Sequence, residues 1–313
     1  MIEILTLGEI LVEIMREKRG VSLNVEGTFR GPYPSGAPAI FIDMVANLGH
    51  TCAIIGGVGE DEFGENCLTR LKRDNVDVSG VKISKGISTA VAFVAYNEDG
   101  SRKFIYHLRD SAATSIGSLR EEDLRDVKVM HVMGCSMMID KRIADQIIWY
   151  ATKVKGFGGK ISFDPNVRAE LMTEEYIKDS VDRITETADI ILPGVKELEL
   201  ITGLKDIDDG VHSLFSKNAD VVVLKEGARG CQIYSKHIKS PIFVSSFKID
   251  EVDPTGAGDS FDAGFVCGMI ENRDLRDCGI LANACGALNA TRFGPMEGVF
   301  KREAVDEFIS KNL

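Results

Sequence analysis

The chain has 313 residues, 44% hydrophobic and 27% charged, an ordinary globular balance that can bury one large core or two smaller ones. Its formal charge of -11, with no run of Lys and Arg, excludes a polyanion-binding footprint for the molecule as a whole, so neither nucleic acid nor a membrane surface is an expected partner. No apolar run approaches the roughly 20 residues of a membrane span, and Met1-Ile2-Glu3-Ile4-Leu5-Thr6-Leu7-Gly8 lacks the basic, then apolar, opening of a signal peptide, so a cytoplasmic location is expected.

Along the chain, apolar runs predict strands over residues 2–7 and 51–55, and amphipathic spacing predicts helices over 40–48 and 63–74. Residues 21–31 have extended character. Residues 89–96 and 102–108 both read as strands, joined by Asn97-Glu98-Asp99-Gly100-Ser101, whose Asp-Gly suits a hairpin turn. Strands are then expected at 129–132, 160–163, 190–192 and 221–224, and helices at 141–155, 177–186, 195–202 and 260–270. This alternation is that of an α/β fold with a mostly parallel sheet between helical layers, in which a hairpin has no obvious place. The hairpin and the early extended stretch are therefore expected to form a small separate sheet, a discontinuous β lid from 9–31 and 88–110 on a single domain spanning 1–313. The seven cysteines, at 52, 67, 135, 231, 267, 278 and 285, form no C-x-x-C pair and read as buried small hydrophobes in a reducing compartment.

The segment richest in chemistry is Asp253-Pro254-Thr255-Gly256-Ala257-Gly258-Asp259-Ser260-Phe261. Small residues at 256–258 let backbone N–H groups converge, and a helix beginning there adds its positive end, which makes an anion site. An aspartate at its edge can take a proton from an attacking hydroxyl while the N–H groups hold charge on a transferring phosphoryl group. Read alone, the same stretch is a Gly-rich turn with an N-capping Asp. It resembles, however, the D-T-x-G-A-G-D signature of PfkB (ribokinase-type) carbohydrate kinases, with Pro254 where Thr is usual. The resemblance implies a ribokinase-like three-layer α/β/α fold, Asp259 as catalytic base, and Gly256, Ala257 and Gly258 as the anion hole.

Upstream, Gly56-Gly57-Val58-Gly59-Glu60-Asp61-Glu62-Phe63-Gly64 is similar to the family's amino-terminal G-G-x-G-x-D-x-F-G. It does not fit a dinucleotide fingerprint, since Glu62 stands where the third Gly belongs, and Gly156-Phe157-Gly158-Gly159-Lys160 does not fit a Walker A loop. The opening Gly8-Glu9 resembles the family's first strand and implies Glu13 as the acid that binds sugar hydroxyls, where Asp is commoner. Ser35-Gly36-Ala37-Pro38-Ala39 resembles the sugar-facing G-G-A-x-A, with Ser35 in place of the first Gly. Asp164-Pro165-Asn166-x-Arg168 is similar to the D-P-N-x-R of fructokinases and 2-keto-3-deoxygluconate kinases; Arg168 can pair with phosphate or carboxylate, and Asp164 can orient it or hold a hydrated metal. Gly194-Val195-Lys196-Glu197 aligns with N-x-x-E, implying Glu197 near Mg²⁺. Lys225-x-Gly227-x-x-Gly230 and Asn283-Ala284-Cys285-Gly286-Ala287 resemble adenosine-binding edges, although such small residues also serve helix packing. The implied cofactors are ATP and Mg²⁺, with a monovalent cation such as K⁺ near Asp253 and Gly294.

Tyr106-His107-Leu108-Arg109-Asp110-Ser111-Ala112-Ala113 resembles a stretch of 2-keto-3-deoxygluconate kinases and some fructokinases. Arg109 aimed inward favours a sugar acid; on the rim it only screens ATP. The resemblance implies phosphorylation of a primary hydroxyl on a ketohexose, fructose or tagatose, or on a 2-keto-3-deoxy sugar acid. Two alternatives stay open: a nucleoside kinase of the same fold, and a catalytically weak sugar- or nucleotide-binding regulator. A small sheet with one apolar face rarely stands alone, so a homodimer through the lid is expected.

Overall fold

The computed structural model describes residues 1–98, 100–166 and 174–313. Its strands, in chain order, are β1 (Ile4–Leu7), β2 (Leu11–Arg16), β3 (Phe29–Ser35), β4 (Cys52–Gly59), β5 (Val81–Ser84), β6 (Ala90–Tyr96), β7 (Arg102–His107), β8 (Val129–Met133), β9 (Lys160–Asp164), β10 (Ile190–Ile191), β11 (Val221–Lys225), β12 (Gly230–Ser235) and β13 (Ile242–Ser245). The helices are α1 (Ala37–Asn47), α2 (Glu62–Arg73), α3 (Gly134–Met137), α4 (Lys141–Gly156), α5 (Glu175–Thr187), α6 (Val195–Thr202), α7 (Ile207–Ser216), α8 (Ala257–Ile270), α9 (Leu275–Asn289) and α10 (Arg302–Asn312).

Nine strands form the main sheet in the order β13-β12-β11-β10-β9-β8-β1-β4-β5. Pairings from β5 to β11 are parallel, and β12 and β13 complete one edge antiparallel. Strand residues that alternate along the pleat feed two separate cores. Leu5, Leu7, Met130, Val132, Ile161, Phe163, Val222 and Leu224 pack on one face with side chains of α4, α5, α6 and α7. Ile4, Ile54, Val129 and Met133 pack on the other with α1, α2, α8, α9 and α10. This is the three-layer α/β/α arrangement the alternation implied, with both sheet faces covered.

The second sheet, β3-β2-β6-β7, stands apart from the first and contains the hairpin. β2 pairs parallel to β6, with Glu13 opposite Ala92 and Ile14 opposite Phe93. Its early strand differs from the expected one. Residues 21–28 do not form a strand, because they curl around the Arg16 guanidinium, which donates to the carbonyls of Ser22 and Val25; the strand begins at Phe29. The Gly56–Gly64 segment fixes the root of this sheet. Asp61 caps α2 through Gly64 N–H at 2.8 Å and accepts both the backbone N–H and the hydroxyl of Thr89, just before β6.

All seven cysteines are free thiols and six are buried. Among the described residues, no helix is long and apolar enough to cross a membrane.

Candidate active site

The loop before α8 is built on a buried carboxylate. Asp253 accepts from Thr255 N–H at 3.0 Å, from Gly294 N–H at 2.9 Å and from the Tyr96 hydroxyl at 2.6 Å. Gly256 then turns the chain with φ +81°, and a Cβ there would lie 2.4 Å from the Pro295 carbonyl, so only glycine fits. The helix starts at once. Ala257 N–H leans on the Pro254 carbonyl at 3.3 Å, while Gly258 and Asp259 line the cleft with first-turn N–H groups that α8 cannot satisfy internally.

That cleft has a volume of about 1060 Å³ and lies between the carboxyl ends of the parallel strands and the small sheet. Asp259 lines its floor. Enclosure by protein pushes its carboxyl up to about 8; Asp164 adds to the rise, and Lys225 and Arg102 oppose it. A carboxyl so placed titrates near neutral pH, and once its proton is lost it can accept the proton of an attacking hydroxyl.

Lys225, expected along the nucleotide edge, instead turns inward. Its Nζ lies 2.8 Å from Asp164 Oδ2 and 3.2 Å from Asp262. Burial would lower its pKa, but Asp164, Asp262 and Glu197 outweigh that and hold it above the usual lysine range. Glu197 also lines the cleft and folds back on Gly194 N–H at 2.7 Å, with burial and then Asp164 raising its pKa. Two carboxylates that repel each other beside a cleft suit a divalent cation held mainly by water and phosphate oxygens. Among the described residues there is no three-residue cluster that could hold a metal alone.

The cleft wall also carries Glu13, Ser35, Gly36 and Ala37. Glu13 is buried, with Oε1 accepting from the Ser35 hydroxyl at 2.7 Å and Oε2 without a partner among the described residues. Burial pushes its pKa up to about 7 against the pull of Ser35 and Arg102.

The other expected positions are at the mouth of the cleft, away from it, or outside the described residues. Arg109 sits at the mouth, 60% exposed and paired with Glu174 at 3.1 Å, so it is a rim residue and not an inward one. Arg168 lies outside the described residues. Gly227 is exposed in the turn between β11 and β12, and neither it nor Gly230 lines the cleft; Gly230 is needed because a Cβ would strike the Val244 carbonyl at 2.0 Å. Asn283 is buried in α9 and donates to the Val244 and Ser245 carbonyls, so its amide fastens α9 to β13. The small residues around it pack α9 on α8.

Two cleft features and one carboxylate buried behind the cleft were not expected. Arg102, opposite Tyr96 in the hairpin, donates to Thr255 Oγ1 at 3.2 Å and brings a cation beside the anion loop. Glu9 is buried and accepts from Ser136 at 2.6 Å. Asp262 follows Asp259 by three residues, and that helical spacing was the one signal for it.

The pfkB family carbohydrate kinase model matches residues 1–301. Fructokinase-2 of Solanum lycopersicum is 32% identical, covering 93% of this chain and 91% of that protein. An E. coli candidate ribokinase II, solved in complex with ATP and Mg²⁺, superposes with a TM-score of 0.94 at 37% identity over 100% of both chains. A Vibrio cholerae fructokinase solved with fructose, ADP and calcium gives 0.83 at 25% identity, covering 99% of each chain. With the family matched over almost its whole length, the chain belongs to the pfkB carbohydrate kinases, phosphotransferases whose acceptor is a sugar hydroxyl.

Proposed function

We propose that the chain transfers the γ-phosphoryl group of ATP to a primary hydroxyl of a neutral ketohexose, with fructose as the first substrate to test. The observation that carries this is a single cleft lined both by Asp259 at the start of α8 and by Glu13, whose Oε2 has no partner among the described residues. Asp259 takes the hydroxyl proton, and the N–H groups of Gly258 and Asp259 with Arg102 hold the negative charge of the transferring group. The relatives' fructose, ATP and Mg²⁺ support the same assignment. Asp164 and Glu197 would hold Mg²⁺, which neutralises phosphate charge when bound. The nucleotide would extend from Lys225 past the exposed turn at Gly227.

The neutral sugar is favoured over the acid by charge. Glu9 and Glu13 lie in the cleft, whereas Arg109 is at the rim and already paired. A substrate carboxylate would find the Arg109 guanidinium already taken by Glu174. The test compares Arg102→Met and Arg109→Ala on fructose, tagatose and 2-keto-3-deoxygluconate. Arg102→Met should lower kcat about ten- to a hundredfold on every accepted sugar, the size of one lost charge-assisted contact. Arg109→Ala should change kcat/KM by no more than about twofold, as an exposed ion pair implies. Selective loss of the keto acid in Arg109→Ala, with good parental activity on it, would replace the ketohexose by the sugar acid.

The small sheet is proposed as a lid that excludes water from the transferring group, and its other face as a dimer contact. Ile14, Phe93 and Ile105 are in register across β2, β6 and β7, with Phe29 edge-on to Phe93 at 5.9 Å, and Ile105 is 49% exposed. A second copy would cover this ladder. Sedimentation at micromolar concentration should give a dimer that Ile105→Lys converts to monomer; a parental monomer overturns the contact.

A further inference from the structure

Two departures from the family pattern touch each other. Glu13 carries one more methylene than the usual Asp, and Ser35 carries a hydroxyl where Gly has none; the two side chains meet in a 2.7 Å hydrogen bond. β2 and β3 hold them side by side, with Leu11 opposite Ser35 and Glu13 opposite Tyr33. Both are buried, at 6% and 1% exposure, on the wall of the cleft. A longer carboxylate has an extra rotatable bond, and buried without a partner it would sample several positions. The Ser35 hydroxyl removes that freedom by taking Oε1, which leaves Oε2 as the Glu13 oxygen without a bond among the described residues.

We infer that Ser35 is a positioning residue that fixes Glu13 so that Oε2 accepts a hydrogen bond from a sugar hydroxyl. This rests on the sugar-kinase reading of the cleft. Ser35 donates to Oε1 and leaves Oε2 for the sugar hydroxyl, so its loss is expected to act on substrate binding and not on proton removal at Asp259.

The experiment is a double-mutant cycle on fructose kinetics with Ser35→Gly, Glu13→Asp and the double variant. Each single variant should raise the KM for fructose about ten- to thirtyfold, with kcat and the KM for ATP within about threefold, because a positioned hydrogen bond to a charged group is lost. The double variant should be better than the product of the singles by at least about fivefold, the non-additivity of coupled neighbours. Ser35→Thr, which keeps the hydroxyl, should restore most of the affinity. Additive KM effects, or a fall in kcat alone, overturn the inference.

A second readout does not depend on turnover. In protein carrying ¹³C-labelled glutamate, Ser35→Ala should raise the Glu13 titration midpoint, since the lost hydrogen bond favoured the ionised form. An unchanged midpoint in a folded variant means that Ser35 does not hold Glu13. If the parent turns over no sugar while this midpoint moves, the positioning stands and the sugar-kinase reading fails.

Discussion

Asp259→Asn lowers sugar-dependent turnover by at least about a hundredfold, a barrier rise of about 2.7 kcal/mol, while the fold and ATP affinity stay near parental values. The amide is isosteric and keeps the start of α8, but it cannot accept the hydroxyl proton. The pH profile carries a second signature. The base works only when deprotonated, and the protein pushes its carboxyl up to about 8 in the empty cleft. Parental kcat/KM therefore rises with pH on an acid limb far above the ordinary carboxylate range, and this limb disappears from the residual activity of the variant. Stopped or coupled assays across the pH range, with a thermal melt to verify folding, decide it. Near-parental turnover in Asp259→Asn would remove this residue from the reaction.

Gly256→Ala is expected to be almost as damaging. At φ +81° a non-glycine residue costs about 1–2 kcal/mol. The added methyl would also stand 2.4 Å from the Pro295 carbonyl and 2.9 Å from Asn289 Nδ2, the group that holds the Thr255 carbonyl at 2.7 Å. The loop must shift, and the N–H groups of Gly258 and Asp259 then point off the transferring charge. Loss of a single oxyanion donor lowers kcat about 10²–10³-fold. Steady-state kinetics below the variant's melting temperature should show a loss of that order in kcat. A variant with lowered melting temperature and normal kcat would mean that this glycine serves only packing.

The legible part of the site was the part that is contiguous in sequence. Gly256, Gly258 and Asp259 are set by one turn and one helix start, so their spacing suggested an anion site, and the resemblance of the stretch to a family signature implied the base. Arg102 was not legible, because its partner Thr255 is 153 residues away and only the docking of the hairpin brings them together. Arg109 was readable as a cation but not as a rim residue. It lies beyond the end of β7, where strand register no longer fixes the side chain, and a distant Glu174 takes it. Six of the seven parallel strands of the main sheet followed from apolar runs, and the short, largely exposed edge strand β5 did not. Helix α9 did not follow from periodicity, since it is buried nearly all round and its small residues looked like a nucleotide edge. The antiparallel edge, β12 and β13, was hidden by glycine at 230 and by the brevity of Ile242–Ser245.

The most direct test of the central assignment is ADP release by the parental chain with ATP and Mg²⁺ over fructose, tagatose, 2-keto-3-deoxygluconate and a nucleoside, with the phosphorylated product located by ³¹P and ¹³C NMR. The account predicts release that depends on a neutral ketohexose, saturates with it, and leaves phosphate on a primary carbon. Nucleotide binding without sugar-dependent ADP release across the panel, or a nucleoside as the preferred acceptor, would contradict it.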